Sequence, residues 1–284
     1  MHGLLALSAL HLASIHTEEA HKYARLCDKH QTIALAKYRS ILASASEVDM
    51  NSADALFAFS TTLSVCAMAR SCSPIFMTQA QTIDLDAIIE PFYLTRGVRD
   101  VMQLCHAHIR SGPMSQMFHG HSYPEGTVIT LPDEVAAHIT ALDLEMLPAA
   151  QLDAEALEHC HAALTELKDV YQNIVYFTQQ GDGLESGQVW RWCVAISSGF
   201  LRLIQARIPA ALVILAHFAA ATNAVRMSWY TENWGTYALH GIKAELDAEY
   251  WSWLEWPLRH GGRNMEILGV QEMEIDDRRP LIGF

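Results

Sequence analysis

Apolar positions along this chain recur every third or fourth residue, the period of a helix, and only rarely at every second. Residues 3–15 ("GLLALSALHLASI") read as a helix that is apolar all round. A long amphipathic helix follows over 19–45, with Tyr23, Leu26, Ile33, Ala34, Tyr38, Ile41 and Leu42 on its apolar face. "DMNSAD" (49–54) is a turn in which Asn51 or Ser52 is the expected N-cap. The next helix, 53–69, is apolar on almost every side. A helical stretch over 84–110 is expected in pieces, broken at Pro91 and Gly97. Residues 111–132, with three prolines and three glycines, form the longest loop. An acidic helical hairpin spans 133–178, a second loop 179–188, and helices cover 189–206, 209–226 and 233–247. Only "GTVIT" (126–130) alternates enough to suggest a strand. The pattern predicts an all-α fold with residues 1–284 as one helical domain and 259–284 as its tail. Helices 3–15, 53–69 and 209–225 are too apolar to have a solvent face, so an internal apolar pocket is expected.

Composition narrows the field. The 284 residues are 51% hydrophobic and carry a net charge of −13, from 32 acidic and 19 basic side chains. No long basic stretch is available to neutralise phosphates, so no direct nucleic acid binding is expected. The longest apolar run, "IPAALVILAHFAAATNAV" (208–225), contains His217 and Asn223. It reads as a buried helix and not as a membrane span. Cys27, Cys66, Cys72, Cys105, Cys160 and Cys193 lack metal-type spacing and read as reduced thiols. The N-terminal apolar run lacks a basic flank and contains His11, so it does not read as a signal peptide. The cytoplasm is the expected compartment, with the nucleus as the alternative.

Fifteen histidines invite a metal reading. Yet the pairs His106/His108, His119/His121 and His159/His161 are each two residues apart. On a helix such a pair diverges by about 200° and cannot share one ion. Only His119 and His121, in a loop, are free of that objection, and no carboxylate completes a set. No nucleophile elbow, phosphate loop or HExxH stretch occurs. Neither a metal nor a cofactor is therefore expected. Any activity must come from shape and a few polar groups in an apolar pocket.

The most unusual feature is the aromatic run "SWYTENWGTY" (228–237) together with "YWSWLEWP" (250–257). Tryptophan and tyrosine offer large flat faces with one polar handle, which suits core filling or the wall of an apolar site. The expected walls are 53–69, 196–204, 209–226 and 229–237. Phe57, Phe59, Met68, Phe200, Trp229, Trp234 and Tyr237 line them, and Phe118, His119 and His121 cap an opening. His217, on the most apolar helix, is the expected main polar group, either a core histidine bonded to a carbonyl or a hydrogen-bond donor or acid. Arg191 and Tyr230 are the reserve donors.

Six stretches, "MHGLLALSALHLA", "SADALFAFSTTLSVCAMA", "LTRGVRDVM", "IPAALVILAHFA", "WYTENWG" and "WLEWP", together resemble the ligand-sensing domain of fungal zinc-cluster transcription regulators of the sterol-uptake type. The resemblance covers nearly all of residues 1–257. It implies a helical domain whose hydrophobic pocket binds a sterol. Those regulators carry a six-cysteine zinc cluster ahead of the first helix, and no Cys-x2-Cys-x6-Cys spacing occurs in this sequence. The expectation is a ligand pocket without a DNA reader. The chain also resembles stand-alone fungal hetero-Diels–Alderases. That implies binding of a terpenoid, sterol or polyketide-like molecule and a cyclisation or cycloaddition helped by positioning and hydrogen bonding. The alternative is a sterol- or lipid-sensing domain acting through a partner. A third use of the pocket is that of a passive carrier or a remnant without function. For the tail, pocket cover and self-association as a homodimer both stay open.

Overall fold

The helix at the centre of the molecule is the one whose sequence has no polar face. A computed structural model describes residues 1–44, 50–72, 84–118, 122–181, 184–225, 229–261 and 266–269. In chain order the helices are α1 (His2–Ile15), α2 (Ala20–Ser44), α3 (Met50–Cys72), α4 (Leu85–Ser111), α5 (Asp133–Ala141), α6 (Leu147–Ala149), α7 (Ala154–Gln180), α8 (Ser186–Ala195), α9 (Ser198–Gln205), α10 (Pro209–Thr222), α11 (Trp234–Glu245) and α12 (Trp251–His260). Among the described residues there is no strand, and the protein is a single all-α domain.

Pro209 opens α10 at the position where a missing N–H costs nothing. Every residue from Ala210 to Thr222 is buried. A helix with no solvent face has to be wrapped, and α7, α8, α9, α11 and α12 all pack on it. The main core forms around it, joined by Leu85, Ile88, Ile89 and Phe92 from the first turns of α4. A second cluster fills the α3–α4 hairpin, with Leu56 and Phe57 against Val98, Val101 and Ile109. A third joins α1, α2 and α3 through Ala6, Ala9, Leu10, Cys27, Cys66 and Ala69.

Several elements depart from the pattern-based reading. α1 does have a solvent face, and it is apolar: Leu4 is 63% exposed and Ile15 53%. α4 runs on through Pro91 and Gly97, and its one non-helical residue is Cys105. Pro91 removes a single backbone bond, while Ile88, Ile89 and Phe92 around it are all core residues that hold the helix together. The stretch 189–206 is two helices, because Ser197 ends one and caps the next by accepting from the Phe200 N–H. α3 begins at Met50, so Asn51 and Ser52 lie inside it and neither is its N-cap. "GTVIT" forms no strand. It follows a Gly126 turn, leaves Val128 90% exposed, and is held by Gln172 Nε2 donating to the Ile129 carbonyl. A twelfth helix, α12, occupies the aromatic run 250–257. Of the tail, Leu268 enters the core, and residues 262–265 and 270–284 lie outside the described set.

No single described helix is long and apolar enough to cross a membrane. The bent pair of α9 with 209–225 passes that test together, but the two are 106° apart and α10 is core.

Candidate functional site

Three local devices set the aromatic side chains in place. Glu185 and Gln188 form a reciprocal capping box that fixes where α8 starts, and so where Trp190 and Trp192 point. At the other end of α8, Arg96 and Arg99 of α4 donate to the carbonyls of Ile196 (2.9 Å) and Val194 (3.1 Å). Cations at a helix carboxyl end are favourably placed. Asn233 adopts the left-handed conformation with φ 62°, which its short polar side chain tolerates, and this turns the chain so that Trp234 begins α11.

The result is an aromatic cluster on one side of α10. Trp192 stacks on Phe218 at 4.3 Å between ring centres and meets Phe92 and Phe200 edge-on at 6.1 and 5.7 Å. Trp190 lies edge-on to Phe218 at 5.5 Å and to Trp234 at 4.9 Å. Trp192 donates its Nε1–H to the Ala163 carbonyl at 3.0 Å. The Nε1–H groups of Trp190 and Trp234 are buried and have no acceptor. A buried donor without a partner costs about 1–3 kcal/mol, so two on rings in contact, with Trp256 Nε1 a third in the same core, are an unusual expense for a fold to carry. Trp234 is fully buried, whereas Trp190, Tyr230 and Tyr237 are each half-buried against the main core.

Tyr230 links this cluster to the α1 side, since it packs on both the main core and the α1–α2–α3 cluster. Trp229 stacks on His11 at 4.8 Å, and His11 Nε2 is also buried without a partner. Met68 and Phe200 belong to the main core. Phe57 sits apart in the α3–α4 cluster, and Phe59 packs on Tyr38 at 5.2 Å on the α2 side. The side chain of Phe118, and His119 and His121 altogether, lie outside the described residues.

His217 does not join the aromatic cluster. Adjacent helix positions diverge by about 100°, so Phe218 faces Trp192 while His217 faces α12. Its ring is parallel to Trp256 at 5.7 Å, and its Nδ1 donates to the Val213 carbonyl at 3.0 Å. Complete burial pushes its pKa down to about 4, so the ring is neutral at pH 7. His138 and His260 also lie on Trp256, at 5.2 and 5.0 Å, and His260 is paired with Glu134. Arg191, next to Trp190 in sequence, points instead to Asp169 at 2.7 Å, which also accepts from the Tyr123 hydroxyl. Thus Trp234 and Phe200 join the aromatic cluster, Tyr230 and Tyr237 pack on the same main core, and His217 and Arg191 are committed elsewhere.

Sequence reasoning passed over Trp190. The signal was the "WRW" repeat at 190–192, two residues apart on a helix against one buried phenylalanine. Among the described residues no three metal-ligating side chains converge. Two open surface depressions, one at 15–19 and one bordered by Asp86, Ile89, Glu90, Tyr93, Leu94 and Gln205, lie apart from the aromatic cluster. No family model, curated protein or solved structure matches the chain.

Proposed function

We propose that this protein binds an apolar small molecule bearing a carbonyl-type acceptor, terpenoid or polyketide-like, and promotes its cyclisation or hetero-Diels–Alder cycloaddition. The binding region is the aromatic cluster of Trp190, Trp234 and Phe218, with Tyr230 and Tyr237 assigned to its rim from their half-buried place on the same core. One observation carries the reading: the paired, buried, unpartnered indole N–H donors of Trp190 and Trp234. A ligand acceptor that reached either N–H would satisfy it.

The chemistry follows from that placement. A cycloaddition needs two apolar partners held face to face, and ordering them can supply up to about 7–11 kcal/mol. A donor that polarises the electron-poor partner adds about 2.7–4 kcal/mol on the scale of a single oxyanion-hole contact. Indole N–H groups are neutral donors that never lose their proton at physiological pH, so they polarise without acid chemistry. His217, neutral and turned toward Trp256, has no step in this scheme. Half-buried Tyr230 and Tyr237 would move aside to admit the ligand.

The test is turnover of a polyene or quinone-methide-type carbonyl substrate, followed by product analysis. Trp190→Phe and Trp234→Phe keep an aromatic face and remove the donor. Each is expected to slow the enzymatic reaction about 10²-fold while binding weakens about tenfold. Parent protein that returns the substrate unchanged would remove the catalytic half of the reading. Folded double variants that still bind and turn over like the parent would remove the site.

A further inference from the structure

Seven of the eleven exposed large apolar side chains among the described residues lie on one hairpin, α1–α2. Met1, Leu4, Leu5, Leu12 and Ile15 precede its turn, and Leu26 and Ile33 follow it. On α1, the exposed Leu4, Leu5, Ser8, Leu12 and Ile15 share an arc of about 100°. The solvent face of that arc is thus apolar but for one serine. The other side of α1, with Ala6, Ala9, Leu10 and Ala13, is buried. On α2, Leu26 and Ile33 point within about 20° of each other. The two helices meet where His2 Nδ1 lies 2.9 Å from His30 Nδ1 and where His16 packs beside Tyr23. At about 100° per residue, Leu5, Leu12, Leu26 and Ile33 all fall on the solvent side of that line, so the two stripes form one surface.

Charge is uneven in the same place. The chain carries −13, yet α2 holds Lys22, Arg25, Lys29, Lys37 and Arg39 against Asp28 alone, and α1 has no Asp, Glu, Lys or Arg. All five basic side chains are exposed. Lys22, Lys29 and Lys37 lie within about 60° of Leu26 and Ile33 around the helix. Glu18 and Glu19 sit at the turn, where Glu19 pairs with Lys22, and Asp28 pairs with Arg70 of α3.

We propose that the α1–α2 hairpin docks the protein on an anionic lipid surface. α1 lies in the plane of the interface with its leucines at the boundary between headgroups and acyl chains, and the α2 lysines rest among the headgroups. An apolar helix face with a basic flank is the combination that interfacial helices use. Lysine stems run along apolar surface and keep their ammonium groups at headgroup level. α1 has 14 residues. At 1.5 Å per residue that is about 21 Å, short of the hydrocarbon thickness of about 30 Å, so it lies on the bilayer and does not cross it. A second copy seated on this face would set the bases of α2 against one another, which is unfavourable. Nucleic acid would match the bases and leave the apolar stripe uncovered. A lipid surface of negative charge meets both features. The inference stands apart from the indole site.

The experiment is co-flotation of the full chain with phosphatidylcholine vesicles containing about 30% phosphatidylserine, beside pure phosphatidylcholine vesicles. The expected result is binding to the anionic vesicles that exceeds binding to the neutral ones about tenfold or more. Lys29→Gln with Lys37→Gln should weaken it about 25-fold, at about fivefold per charge, without altering the neutral-vesicle result. Leu4→Ser with Leu12→Ser should weaken both by about tenfold or more. Leu144→Ser, exposed but on another element, should bind like the parent. All four substituted hairpin positions are exposed, so helical circular dichroism is expected to stay unchanged. No flotation of the parent, equal binding to both vesicle types, or a leucine double variant that floats like the parent overturns the proposal. So does an equal loss in Leu144→Ser, or a parent dimer that the leucine double variant converts to monomer in light scattering, since a second copy would then cover the face.

Discussion

Whether an indole N–H has a partner can be read by replacing nitrogen with sulfur. Substituting the benzothienyl analogue for Trp192 breaks its bond to Ala163 and should cost about 1 kcal/mol. The same exchange at Trp234 removes a donor that has nothing to lose, so stability should hold or rise. Equal losses at both positions, measured by denaturant unfolding, would mean that Trp234 is satisfied in solution. His217 gives a second residue-scale expectation. Its pKa is about 4 in the folded protein against 6.5 in the unfolded chain. Above pH 6.5 neither state takes up a proton there, and His217 adds no pH dependence. As pH falls from about 6.5 to 4 the unfolded state protonates and the folded state does not. The stability lost over that window is about 3 kcal/mol at most. His217→Gln should flatten that part of the unfolding profile. Half-buried His138, its pKa lowered mainly by burial, contributes in the same direction and stays in the variant. At this scale the sequence exposed the burial of His217 and the wealth of tryptophan. It did not expose that Trp190 and Trp234, far apart in the chain, meet as a pair, because a contact between distant positions has no local signature.

Among the elements, α10 was the most legible and also sets the tightest constraint. A helix buried on all sides permits close approach only where its neighbours have no side chain. Gly235 of α11 is such a place: a Cβ there would fall 2.3 Å from the Ala219 carbonyl and 2.6 Å from Thr222 Oγ1. Backbone atoms cannot step aside, so Gly235→Ala should cost about 3 kcal/mol or more. Gly97, inside α4, has nothing within 4 Å of its would-be Cβ. There alanine should add about 0.5–1 kcal/mol, through helix propensity alone. Opposite signs at the two glycines, in thermal or denaturant unfolding, check this packing; equal signs contradict it. The misread elements share a cause. α1 and α10 are both apolar all round, yet α1 keeps Leu4 and Ile15 exposed, because hydrophobicity says that a helix prefers burial but not that neighbours exist to cover it. Pro91 and Gly97 look like breaks one residue at a time, while tertiary packing along α4 overrides them.

Taken as a whole, the molecule is an acidic helical domain in which one cluster of aromatic residues packs on a fully buried helix. With a net charge of −13, the chain is expected not to retain random duplex DNA at any ionic strength. Salt-dependent micromolar binding in a filter or polarisation assay would contradict that. The all-helical architecture was legible from periodicity, since it depends on the 3.6-residue repeat that the sequence carries throughout. The candidate site was legible only in part, as an aromatic surplus, because its polar handles are indoles whose role depends on lacking a partner. The most direct measurement is therefore of the seven indole N–H groups themselves. In nitrogen-15-labelled protein they give separate resonances, assignable by single Trp→Phe variants. The protein would be titrated with a panel of apolar terpenoid and polyketide-like ketones. The account predicts that a binding ketone shifts the Trp190 and Trp234 indole protons downfield, as each gains an acceptor, and leaves Trp192, already bonded to Ala163, in place. A panel in which nothing binds, or a ketone that binds while the Trp190 and Trp234 resonances stay still, would contradict it.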